Sequence, residues 1–215
     1  MNAFPTALVG LCLLALSTYP ESSFSAHQSA VRGTAGMVSS TSTLGNEAAI
    51  AVMKSGGNAI DAAVTLGFAL AVTYPEAGNI GGGGFAVVRL PSGEVVSLDH
   101  RERAPAAAYR DMFLDESGNA DWKLSLDSHL ASGVPGTVDG LLKLHARYGS
   151  KPLADLLEPA IEMAEQGIMI EPEQVARFNR LAGKPGQWAA TVDKFSLGGQ
   201  AFTGRERWKQ QLLAR

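Results

Sequence analysis

Between Ala59 and Val72 the chain reads AIDAAVTLGFALAV. Wound as a helix, this run has apolar residues on nearly every side: Ala62, Ala63, Val64, Leu66, Phe68, Ala69 and Leu70. A helix without a polar face is buried all round. The fold must therefore supply neighbours on each side, and the many alanines and Gly67 let them approach closely. Asn58 is a good N-cap, with Asp61 three residues on as its capping-box partner, and Pro75 ends the helix. With 215 residues, 46% of them hydrophobic and 18% charged, the chain has enough apolar material for a real core.

Immediately after that helix, Ala77 to Pro105 reads AGNIGGGGFAVVRLPSGEVVSLDHRERAP. Four glycines, Gly81 to Gly84, lead into the apolar run Phe85 to Leu90. Pro91-Ser92-Gly93 turns the chain into a second run, Val95 to Leu98, so the pair reads as a β-hairpin of buried strands. The second strand ends in Asp99-His100-Arg101-Glu102-Arg103, the kind of place where a sheet protein puts its chemistry.

The glycines do not read as a phosphate cradle. No Lys-Ser/Thr follows, and they precede a strand instead of opening a helix. Tight backbone approach or positive φ beside the buried helix explains them better. Within the charged cluster, Asp99 and Glu102 can pair with Arg101 and Arg103 on the surface, where such pairs contribute little. An Arg ending a strand next to so apolar a helix also suits capture of a carboxylate, because its planar fork meets two oxygens at once. His100 has no Ser or Cys partner at motif spacing and reads as structural or solvent-facing.

The flanks are simpler. Ala7 to Leu16 is an apolar core too short to span a bilayer, followed by Phe24-Ser25-Ala26, which resembles a cleavage site. Residues 1–26 read as an export signal, despite the absence of Lys or Arg before Arg32; a buried strand or a misplaced start is the other reading. Cys12 falls within this segment, so the mature chain has no disulfide. Met37 to Thr41 suits a first strand. A helix opens at Asn46-Glu47 and stops at Gly56-Gly57. Asp115 to Asn119 is a surface turn.

Thr137 can cap a helix running to Tyr148, stopped by Gly149. Leu153 to Leu157 forms a short helix, and Pro159 starts another that ends at Gly167. Glu173 and Arg177 pair on a solvated face, Trp188 and Trp208 are packing residues, and Glu206 to Arg215 is helical. A net charge of −3, with no basic stripe, argues against a nucleic-acid partner.

Three blocks carry a resemblance: GGNAIDAAVTLGFALAVTYPEAGNIGGGGF, DHRERAPAAAYRDMFLD and SHLASGVPGTVDGL. Together they closely resemble the large subunit of bacterial γ-glutamyltranspeptidases (glutathione hydrolases), from about Ala30 to Gly167. The resemblance implies an α/β (α+β) fold, the αββα sandwich of N-terminal nucleophile hydrolases, present here only in part. Residues 27–215 would be the N-terminal part of the large-subunit region. The resemblance also implies a precursor that cleaves itself before a threonine, whose hydroxyl then attacks the γ-glutamyl carbonyl with its own amine as base.

The family's carboxylate-binding arginine lies in a D-x-R-E-x-A-P pattern, here Asp99 to Pro105, so Arg101 would hold the α-carboxylate of the glutamyl group. The implied partners are glutathione and other γ-glutamyl compounds, with a small subunit from the same precursor. No cofactor, metal, nucleic acid or stable membrane span is expected, and the location is periplasmic or secreted.

The chain departs from the family in one respect. The family's Thr-Thr-His-like nucleophile motif does not occur: Val138, Val192 and Gly204 follow Thr137, Thr191 and Thr203. The expectation is therefore a chain that lacks its catalytic half, inactive by itself. A related acylase acting on another amide, or a non-catalytic fragment, are the alternatives.

Overall fold

The computed structural model describes residues 31–78, 80–184 and 188–215. The proposed export signal lies outside the described residues. The chain divides after Ala35, and the fold below is that of Gly36–Arg215.

Its centre is the helix foreseen from the sequence. Helix α1 spans Thr43–Lys54 and α2 spans Ala59–Thr73. Asn58 caps α2 by accepting from the amides of Ile60 and Asp61, at 2.8 and 3.0 Å. The Asp61 carboxylate accepts from Asn58 N at 2.8 Å, which completes the capping box. Along α2 only Ala59 and Ala63 are exposed.

Around α2 stand α1, a helix α4 (Thr137–Tyr148) and a helix α5 (Leu153–Gln166). Val52, Ile60, Val64, Leu144 and Leu156 form one buried cluster across all four. Gly67 shows why glycine sits mid-helix: a Cβ there would lie 2.7 Å from a Leu141 methyl of α4. At the C-terminal end of α2, backbone carbonyls that lack helical partners are met from afar. Gln174 Nε2 donates to Thr73 O at 2.7 Å, and Gln210 Nε2 to Val72 O at 2.9 Å.

Strands β1 (Phe85–Arg89) and β2 (Val95–Asp99) form the expected antiparallel hairpin, with Ala86 opposite Leu98 and Val88 opposite Val96. Gly93 closes the turn at φ 90°. The strands are not buried on both faces, however. Ala86, Val88 and Leu98 pack on the helical cluster, whereas Phe85, Val87 and Val95 on the opposite face are exposed. Side chains alternate along a strand, and the helices lie on one side only.

Several sequence expectations need correction. Met37–Thr41 is not a strand; Ser40 Oγ instead bonds Asn46 Oδ1 at 2.7 Å and accepts from Ser42 N at 3.1 Å. Such side-chain bonds compete with a ladder. They lead into α1, which starts at Thr43 with Ser42 as its N-cap, three residues earlier than Asn46. Thr137 is the first residue of α4 and not its cap, a place taken by Gly136.

The segments flanking Pro159 form one helix, α5, with the proline inside it. Pro159 removes a single backbone donor, and the buried stripe Leu156–Ala160–Ala164 carries the helix through. Short α3 (Trp122–Asp127), preceding α4, carries no buried residue.

A second cluster closes the C-terminal part. Strand β3 (Ile168–Met169) pairs with β4 (Arg207–Trp208), and α6 (Pro172–Ala182) lays Phe178 against Trp208 at 4.8 Å between ring centroids. The expected terminal helix is therefore strand and turn, because Trp208 and Leu213 are drawn onto apolar clusters. Short α7 (Ala189–Lys194) follows Trp188, which is exposed and tilts against His129 at 4.5 Å. Arg177 bonds Glu76 at 3.1 Å and not Glu173, since the loop after α2 brings Glu76 alongside α6.

Candidate functional site

Three loops converge at the end of β2: the glycine segment before β1, residues 99–105, and residues 132–137 entering α4. Each join is backbone-made. Gly84 and His100 extend the hairpin ladder, with His100 N donating to Gly84 O at 3.0 Å. Arg103 and Val134 exchange both backbone bonds, at 3.1 and 2.8 Å. Gly82 O accepts from both Gly136 N and Thr137 N, at 2.8 and 3.0 Å.

Gly83 explains the glycine run. A Cβ there would sit 2.7 Å from Glu102 N and 2.8 Å from Arg101 Cα. Neither Gly83 nor Gly84 has a positive φ. Of the two roles foreseen for these glycines, close backbone approach is the one found.

Arg101 is presented outward at this junction. Asp99 Oδ1 accepts from Arg101 N at 3.0 Å, a local bond that swings the chain out of the strand. The Arg101 side chain is 63% exposed. Its ion-pair partner among the described residues is Glu102, whose Oε2 lies 3.7 Å from Nε, beyond hydrogen-bond length. The guanidinium stands 5.9 Å from the centre of the Phe85 ring, which backs one of its faces. Its fork is left open to a ligand.

Arg101 borders a groove of about 450 Å³ that also involves Gly81, Phe113, Leu130 and Ser132. Arg101 also borders a polar recess of about 430 Å³ with Asp99, Asp139 and Lys143. Among the described residues no group of three or more His, Cys, Asp or Glu could hold a metal. The junction can bind and orient an anion.

Part of this site was missed in the sequence. Ser132 and Gly133 line the groove, and Val134 beside them is bridged to Arg103. His100 turns out to be enclosed by glycines, with its Nδ1 buried and lacking a hydrogen-bond partner among the described residues. Gly136, the cap of α4, and Gly140, four residues on, are the available signal for it.

The sequence profile of the family described as Gamma-glutamyltranspeptidase matches residues 45–215. The chain belongs to the gamma-glutamyltranspeptidase family. It is 50% identical over 140 residues to the "Glutathione hydrolase proenzyme" of Escherichia coli K12, covering 65% of this chain and 24% of that protein. It is 42% identical over 200 residues to the protein of the same name from Pseudomonas sp. A14, covering 88% and 33%. The crystal structure of Helicobacter pylori gamma-glutamyltranspeptidase superposes with a TM-score of 0.83 at 43% identity, covering 86% of this chain and 54% of that one.

The chain thus spans about a quarter to a third of the length of these two curated relatives. As a gamma-glutamyltranspeptidase chain, its mixed helix-and-strand fold is part of the N-terminal nucleophile hydrolase sandwich expected from the sequence. Among the described residues no helix is long and apolar enough to cross a membrane.

Proposed function

We propose that this chain is the N-terminal part of the large-subunit region of a precursor that cleaves γ-glutamyl amides, glutathione among them. In this reading Arg101 holds the donor's α-carboxylate. The observation that carries it is the open guanidinium at the β2 terminus, which has the D-x-R-E-x-A-P pattern around it and one distant partner at 3.7 Å. A planar fork in that position pairs with two carboxylate oxygens in parallel.

The catalytic threonine belongs to a small subunit generated from the same precursor. Its hydroxyl attacks the γ-carbonyl of the donor, and its proton passes by way of the threonine amine to the departing amine. Water or an acceptor amine then releases the γ-glutamyl group. The 215 residues alone hold no such threonine and are inactive in this reading. Residues 1–26 direct export, so the enzyme acts in the periplasm or outside the cell.

The test is a substrate pair: a γ-glutamyl anilide with its α-carboxylate free, and the same anilide with that group converted to the neutral carboxamide. The full-length gene product should strongly prefer the free acid, and Arg101→Ala should erase the preference. An Arg101→Ala enzyme that still discriminates between the two overturns the assignment.

A further inference from the structure

Four glycines close around the residue that precedes Arg101. A Cβ at Gly140 would fall 2.3 Å from His100 Cγ and 2.6 Å from its Nδ1. One at Gly84 would lie 3.2 Å from Cε1 of the same ring. Cβ atoms at Gly136 and Gly83 would lie 2.0 and 2.7 Å from the His100 carbonyl oxygen. Gly136 caps α4 and Gly140 ends its first turn, so carbonyl and ring dock on the same end of that helix, while Gly83 and Gly84 press from the hairpin side.

This socket holds the ring by shape. Nδ1 is buried with no hydrogen-bond partner among the described residues, so no polar recognition at that atom explains a histidine here. By contrast, the Arg101 side chain has little packing of its own, with Glu102 at 3.7 Å and Phe85 at 5.9 Å. Where its guanidinium sits is therefore governed by the backbone at 100–102. That backbone is fixed by what His100 is wedged into.

We infer that His100 is a positioning residue for donor binding: its ring, seated between Gly84 and Gly140, sets the place from which Arg101 reaches the substrate carboxylate. This rests on the reading of Arg101 given above. A misplacement of about 1 Å can cost roughly a hundredfold in such a site. The effect falls on donor capture, because the ring contributes to where the carboxylate is held and not to the bond that is broken.

The experiment compares His100→Ala, His100→Gln and His100→Phe in the full-length gene product, with Arg101→Ala alongside. Donor KM, kcat and precursor self-cleavage are measured for each, self-cleavage reporting that the variant has folded. His100→Ala and His100→Gln should raise donor KM roughly ten- to a hundredfold, with kcat and self-cleavage near wild type. His100→Phe, which restores a flat ring, should stay within about threefold of wild type.

If His100→Ala fails to fold, the contrast between Gln and Phe decides the matter. An unchanged KM in His100→Gln, or a Phe variant as damaged as the Gln variant, overturns the inference while leaving Arg101 in place. An unchanged KM in Arg101→Ala sinks the underlying assignment and this inference with it.

Discussion

The carboxylate of Asp61 accepts a 2.5 Å hydrogen bond from the hydroxyl of Ser150, 89 residues further along the chain. It accepts as well from the amides of Ser150, Lys151 and Asn58, at 2.9, 3.3 and 2.8 Å. One side chain thus completes the capping box of α2 and ties the α4–α5 connection to it, in a fully buried position. The same residue that marked the helix start in the sequence fastens the two halves of the helical layer.

The pH dependence follows from that arrangement. Burial pushes the Asp61 carboxyl up, but the bonds from Ser150, Asn58 and Lys151 outweigh it and hold the group below its ordinary value. A depressed folded value means its stabilisation is complete above the unfolded carboxylate pKa, near ~3.9, and is lost as pH falls through the lower folded value. Asp61→Asn should cost about 1.5–3 kcal/mol at neutral pH. Urea titrations of both proteins from pH 7 to pH 3 should show that gap narrowing only below about pH 4. A gap independent of pH contradicts the role given to the charge.

Two glycine replacements separate crowding from backbone strain. At Gly136, φ is −121°, which any residue adopts, yet a Cβ would meet His100 O at 2.0 Å. At Gly93, φ is +90° with nothing within 4 Å of a Cβ. Gly136→Ala should therefore destabilise by about 3 kcal/mol or more, and Gly93→Ala by only about 1–2 kcal/mol. Chemical denaturation ranks them, and the reverse order contradicts the packing described around His100.

Pro159 offers a substitution in the opposite direction. Proline inside a helix is about 3 kcal/mol worse than alanine, partly offset by about 1 kcal/mol from its stiffening of the unfolded chain. Pro159→Ala should stabilise by about 1–2 kcal/mol, read as a higher Tm. A lower Tm shows that the proline ring packs usefully where α5 continues.

What could be read in advance was local or strongly patterned. Asn58, Asp61 and Pro75 announce α2 because capping and termination act within a few residues, and Gly93 announces its turn for the same reason. The errors share a cause in long-range contact. The terminal segment packs as β4 because Trp208 and Leu213 join apolar clusters built from Ile168 and Val72, which no local propensity reveals. Pro159 suggests a helix start until Leu156, Ala160 and Ala164 are seen to share one buried stripe. At the site, the D-x-R-E-x-A-P pattern singles out Arg101 as a candidate, and the structure leaves its guanidinium exposed. The groove wall and much of the socket around His100 arise where residues 100–103 meet residues 134–140, more than 30 positions further on.

The most direct test of the account is the donor KM of Arg101→Ala, Arg101→Lys and Arg103→Ala in the full-length gene product, with precursor self-cleavage followed in parallel. Truncating one partner of a charge pair of this kind costs about 2–5 kcal/mol, so Arg101→Ala should raise KM by roughly thirtyfold or more. Arg101→Lys should recover only part, since an ammonium supplies charge without the fork. Self-cleavage should proceed in every variant, because it acts on the chain's own backbone. Arg103 is joined to Val134 through its backbone, so its truncation should matter far less. A larger rise in KM for Arg103→Ala than for Arg101→Ala contradicts the account.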